Sequence, residues 1–215
     1  MLKIFIGFLF VFIDFTVSGF DIAADFIGHI LVYLGLNEYP DIASFQKAKP
    51  FTIVLLIKSL IFTILGIFIK ADNRVFMIVS TVLAIAFAVV ILCQLYHFTK
   101  GVGELEEKTG LDLNYQKLFS LWNKRKFVEI LDAVFIVITS VFAILNLTPD
   151  KINSYDTALV TLVSAVISVI SAVFVIMLLV IEIKQLIYIY KAKQALDTYQ
   201  PEEAVRQDYE QPTEE

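Results

Sequence analysis

The chain alternates long apolar runs with short polar breaks, and the breaks set the elements. Apolar residues fill 2–17, 20–36, 51–69, 75–98, 127–147 and 157–181 with few interruptions. Runs that are apolar on all sides suit helices whose solvent is lipid. The first two runs are parted only by Ser18 and Gly19. One helix over both would be about 54 Å long, too long for a hydrocarbon core of about 30 Å. The pattern therefore predicts two short helices that reverse at Gly19, where the missing Cβ eases the turn. At about 25 Å each, they make either a thin full hairpin or a re-entrant one. A cleaved signal peptide is a third possibility, built from Lys3, the run 4–13, Thr16 and Ser18. Asp14 and the bulky Phe15 fit a cleavage region poorly.

The polar breaks carry their own signals. Pro40-Asp41 stops the second helix, residues 42–49 read as a short surface helix, and Pro50 suits the first turn of the third membrane helix. Residues 70–74 form a tight loop. Residues 99–126 are the longest polar segment, and Gly101, Gly103 and Gly110 are expected to break it into pieces. From Asp112 an amphipathic stretch leads to Trp122 and the triplet Lys124-Arg125-Lys126, a composition suited to the lipid headgroup level. The sixth helix is expected to run on into water through Ala195. The expected fold is all-α: a polytopic transmembrane bundle of about six helices over 1–196, with a short N-terminal hairpin. An acidic, disordered tail over 197–215 follows.

Composition agrees with a lipid solvent. Hydrophobic residues make up 58% of the chain and charged ones 18%, with a mean hydropathy of +0.78. Soluble domains average about 45–50% and about 25%. The spans and loops use up the 215 residues, which leaves no room for a separate soluble domain. The net charge of −5 is local, because the tail from Asp197 holds seven acids and one base, a net of −6. Subtracting −6 from −5 leaves +1 for the body, which offers no global basic face to nucleic acid. Thirteen Lys and Arg fall on the side of the termini, against Lys70, Arg74 and Lys151 on the other. That bias predicts a plasma-membrane protein with both termini in the cytoplasm.

Ionisable residues inside apolar runs are the candidate chemistry. Asp14, Asp21, Asp25 and His29 crowd the N-terminal hairpin. Asp25 and His29, four apart, share a helix face, and neighbouring carboxylates with an imidazole suit a proton or cation site. The bland alternative is a set of wet interfacial acids paired with Lys70 or Arg74. Lys58 in the third run and Asp132 in the fifth lie at comparable depth and suit an intramembrane ion pair, unless Lys58 snorkels to the headgroups. Small residues at Ala24, Gly28 and Gly35 predict close helix packing. Thr157, Thr161, Ser164, Ser168, Ser171, Val175, Leu178 and Glu182 recur with a period near 3.5, as a packing stripe or a polar lining.

No HExxH, GxSxG or GxxxxGK[ST] pattern is present, so no enzyme class is indicated. Cys93 is the only cysteine, and His29 and His97 fall on opposite sides of the membrane, so no metal site or other cofactor is expected. The stretch Asp21-Ile22-Ala23-Ala24-Asp25-Phe26-Ile27-Gly28-His29-Ile30-Leu31, followed by Gly35-Leu36, resembles the opening of a group of small uncharacterised bacterial membrane proteins. There the pattern is closer to Asp-Ile-Leu-Pro-Asp-x-Ile-Gly-Tyr-Ile-Leu, and this chain departs from it at Ala23, Ala24 and His29. The resemblance implies a bacterial plasma membrane and no particular activity. Two functions remain: a non-enzymatic accessory, regulatory or homo-oligomeric membrane component acting through partners in the bilayer, or a small cation- or proton-linked transporter or channel.

Overall fold

Six helices account for nearly all of the described chain: α1 Leu2–Phe12, α2 Ala24–Asn37, α3 Ala43–Phe68, α4 Arg74–Thr109, α5 Tyr115–Asn146 and α6 Ser154–Asp197. The computed structural model describes residues 1–12, 16–17, 20–21, 24–68, 74–146 and 154–199. The acidic tail from residue 200 lies outside them. Each helix packs on its neighbours in sequence, and α6 closes the ring against α1.

The hairpin is shorter in helix than its apolar runs. Helix α1 stops at Phe12 rather than 17, and α2 begins at Ala24 rather than 20. Between them the backbone of Thr16–Val17 (β1) pairs antiparallel with Phe20–Asp21 (β2), Thr16 opposite Asp21 and Val17 opposite Phe20. β-Branched Thr16 and Val17 favour that extended form. With 11 and 14 residues the two helices are only about 16 and 21 Å long.

Glycine brings α1 and α2 together. A Cβ on Gly7 would stand 2.7 Å from the Gly28 carbonyl oxygen, and one on Gly28 would stand 2.7 Å from that of Gly7. Gly35 lies as tightly against Ile4, whose backbone nitrogen is 2.8 Å from the position of a Cβ. Close packing at Gly28 and Gly35 is thus met, with Gly7 as the partner the sequence did not single out. Ile4, Gly7, Phe8 and Phe12 form the buried face of α1.

Met1, the 37–43 connection, the 109–115 connection and Asp197 gather at one end, the base of the bundle. The Met1 ammonium donates to the Tyr39 hydroxyl at 2.7 Å, and Lys3 Nζ lies 2.7 Å from Glu38. Glu104 of α4 caps α3, accepting from the Ser44 backbone N–H at 3.0 Å and its hydroxyl at 2.5 Å. Glu106 Oε2 accepts from the N–H groups of Leu113 and Tyr115, which clips the connection to α5. Gly110, at φ +71°, ends α4 in the left-handed form that glycine adopts without strain.

Inside the base, the rings of Phe8, Phe45 and Phe98 are the largest fully buried side chains. Phe8 meets Phe98 edge-on at 4.9 Å, and Phe45 stacks on Phe98 at 5.8 Å. A Cβ on Gly101 would overlap the Phe45 ring, and one on Gly103 would stand 2.9 Å from the Tyr115 ring. These glycines therefore do not break the segment after residue 98. They sit within an unbroken α4 because rings fill the space their side chains would need. Helix α3 likewise runs from Ala43 through Pro50, joining the expected surface helix to the third apolar run.

Toward the far end, burial stops among the described residues. The last buried ones are Ser59 in α3, Gln94 in α4, Val128 in α5 and Ile181 in α6. Beyond them the helices expose apolar side chains in quantity: Val82 is 62% exposed, Ile138 60% and Val169 65%. So much contiguous apolar surface is foreign to a water-soluble monomer. Among the described residues two stretches, Thr81–Thr109 and Thr161–Asp197, are long and apolar enough to cross a membrane. The expected six helices are present, and membrane length is met by these two.

Two outcomes test this packing. Gly101→Val should lower stability by about 1–3 kcal/mol through overpacking against Phe45, read as a lowered Tm in detergent. The Lys3 ammonium bonded to Glu38 holds that carboxyl below its ordinary 4.5. Its stabilisation is then complete above pH 4.5 and is lost as pH falls through the folded value. The stability gap between wild type and Glu38→Gln should narrow below about pH 4.5; a gap unchanged to pH 3 would show that the pair contributes nothing.

Candidate functional site

The base holds a charged cluster at the level where burial ends. On α5 the buried positions Leu118, Leu121, Arg125 and Val128 recur every three or four residues, one face of a helix. Arg125 therefore points inward, and its neighbours Lys124 and Lys126 do not. Its Nε lies 3.2 Å from Glu129 Oε1 one turn on, and its Nη2 lies 3.0 Å from Glu182 Oε1 of α6. The three side chains are only 6%, 12% and 18% exposed. The guanidinium also sits over the Phe12 ring at 5.5 Å, so the last residue of α1 rests on the cluster. Arg125 Nη1 has no hydrogen-bond partner among the described residues.

This corrects the expectation that Arg125 belongs to a headgroup-level basic triplet. Trp122 differs as well: its indole donates to the Leu92 carbonyl at 3.0 Å and packs on Tyr96 at 4.9 Å, which turns it toward α4. The signal that identifies Arg125 was present in the sequence, an Arg on the apolar stripe with a Glu four residues on. The contribution of Glu182 was not, because it comes from another helix.

The N-terminal candidates are only partly in view. Asp14 lies outside the described residues, and of Asp21 only the backbone pairing with Thr16 is described. Asp25 occupies the first turn of α2 and is half-buried. His29, one turn on, is 5% exposed, and its Nδ1 has no hydrogen-bond partner among the described residues. Lys58 of α3 is within electrostatic range of it.

Lys58 and Asp132 do not form the expected ion pair among the described contacts. Lys58 Nζ lies over the Phe87 ring of α4 at 5.6 Å. Helix α4 packs on both α3 and α5. The hydroxyl stripe of α6 is also mostly off the packed face. The residues turned inward are Val163, Ile167, Ser171, Phe174 and Leu178, whereas Ser164, Ser168 and Val175 are exposed. Ser168 Oγ instead donates to the Ser164 carbonyl in its own helix at 2.9 Å. One polar contact is fully internal: Gln94 Nε2 donates to Thr52 Oγ1 at 2.8 Å. Among the described residues no three His, Cys, Asp or Glu side chains converge as metal ligands.

These features define an all-α protein with membrane-length helices and a packed base that carries its own buried charge cluster. No protein-family model, curated protein or solved structure matches the chain.

Arg125→Leu should be strongly destabilising, by about 3–5 kcal/mol, because two half-buried carboxylates lose their cation. The triple variant Arg125→Leu, Glu129→Leu, Glu182→Leu should recover most of that loss. Thermal melts of both, beside wild type, decide whether the cluster acts as a unit.

Proposed function

We propose that the chain is a multi-pass plasma-membrane protein that works by associating with other membrane chains, its own copies included, and catalyses no reaction. The observation that carries this reading is the bare far half of α6. Over residues 161–180 it has no buried residue, and 163, 167, 171, 174 and 178 form the only inward-turned line. Apart from Thr161, Ser164 and Ser168, the remaining circumference is apolar side chain that lipid or another helix must cover. In this reading α3 to α6 cross the bilayer, the short α1–α2 hairpin re-enters from the base, and the base with both termini faces the cytoplasm. The helix lengths support it, since α1 and α2 fall short of a core of about 30 Å.

Transport of protons or cations is the second reading, and one observation favours it. A buried imidazole with a nitrogen unpartnered among the described residues, one turn from Asp25, is the kind of group that relays protons.

Two measurements separate them. A cysteine at Val169, in a Cys93→Ser background, should cross-link in native membranes to a second copy or to another membrane protein. The purified protein in liposomes should carry no proton or cation flux. Flux that is present in wild type and absent in a folded Asp25→Asn variant would replace association with transport.

A further inference from the structure

A groove between α5 and α6 has no part in the charge cluster. Its far portion encloses about 810 Å³ and is walled by apolar side chains, among them Phe127, Val128, Ile176, Met177 and Val180. Its portion nearer the base encloses about 500 Å³ and is lined by Lys117, Lys124, Lys184 and Lys191. Lys124 and Lys184 line both portions, and so mark the joint between them. No Asp or Glu lines either portion.

Four ammonium groups on one groove repel one another, and the described ion pairs bring no carboxylate to any of them. Tyr188 gathers two of them, with Lys117 Nζ 5.4 Å and Lys191 Nζ 5.7 Å from its ring centre. Lys117 is further steadied by Asn114 Oδ1 at 2.9 Å. The helix directions fix the order of chemistry along the groove. Helix α5 leaves the base at Tyr115 and α6 returns to it at Asp197, so the lysines lie at the base end and the apolar walls reach toward the bare half.

An occupant must therefore be anionic at one end and apolar at the other, with the anion at the level where the helices leave their apolar zone. We infer that this groove is a binding site for an anionic phospholipid, its phosphate among Lys117, Lys124, Lys184 and Lys191 and an acyl chain against Phe127, Ile176 and Val180. Basic pockets at the ends of membrane helices recognise lipid phosphates in this way. The volume is within the range of small-molecule sites, about 300–1,000 Å³. The inference rests on the membrane reading above, because a soluble chain would meet no such lipid.

The test begins with alkaline carbonate extraction of membranes. Release of the protein there would overturn the membrane reading and the lipid site with it. For protein that stays in the membrane, native mass spectrometry in detergent with phosphatidylglycerol or phosphatidylcholine of equal chain length measures retained lipid. Wild type should retain phosphatidylglycerol in preference. Lys124→Gln/Lys184→Gln should weaken that retention by about tenfold or more, since each juxtamembrane Lys is worth roughly 1 kcal/mol. Val180→Trp, which fills the groove and leaves all four lysines, should also lose the lipid. Both variants change exposed side chains, and circular dichroism confirms their helix content. Equal retention of the two lipids, unchanged retention in the lysine double variant, or full retention in Val180→Trp would each overturn the site. Glycerol phosphate, which has no acyl chain, should not compete; competition at equal strength would show a plain anion site.

Discussion

The contact between Gly7 and Gly28 sets how deep the N-terminal hairpin can lie in the base. With no Cβ on either side, the backbones of α1 and α2 meet at van der Waals distance. That spacing lets the pair close the ring between α3 and α6. From there Phe8 reaches Phe98 of α4, Phe5 reaches Tyr190 of α6, and Phe12 reaches the Arg125 guanidinium of α5. A side chain at either glycine would push the hairpin outward and separate all three contacts at once.

The two halves of the molecule differ in how they treat apolar side chains, and the proposed membrane location accounts for the difference by giving them different solvents. In the base, apolar surface is withdrawn from water, and polar groups are matched across helices: Glu104 with Ser44, Glu106 with the 113–115 backbone, Arg125 with Glu129 and Glu182. In the far half, on that proposal, nothing is gained by hiding apolar side chains from one another, since lipid would serve them equally well. Among the described residues, burial accordingly ends at Val128 in α5 and Ile181 in α6. The charge cluster lies just on the base side of that level, where an unpaired charge would begin to be costly.

The proposed lipid groove and the charge cluster share α5 and α6 and use adjoining faces of α5, with Leu121 and Val128 at the boundary. The triplet at 124–126 shows how. Arg125 turns inward to two carboxylates, Lys124 turns outward to the groove, and Lys126 lies over the Trp122 ring at 4.7 Å. Three adjacent cations thus serve three different purposes, because successive helix positions differ by about 100°. A headgroup-level patch was the reading available from composition, which is blind to that rotation.

How far the chain could be read alone varied from element to element. The count of six helices, the reversal after the first run, and close packing at Gly28 and Gly35 followed from periodicity and from residues without side chains. These are local properties, set by backbone sterics and the 3.6-residue repeat. Continuity was misjudged wherever a local breaker had a tertiary partner. Gly101 and Gly103 stay helical because the Phe45 and Tyr115 rings occupy their missing side chains, and α3 passes through Pro50 with its start capped by Glu104. Charge partners follow the same rule. Arg125 meets Glu182 only because packing brings α6 beside α5, which neither segment announces alone. The sequence by itself determined which segments are helical and which solvent each suits, because both depend on residue type and spacing. Tertiary structure alone decided which side chains meet, because rotation about each helix axis and the order of helices around the ring are set by packing between segments far apart in the chain.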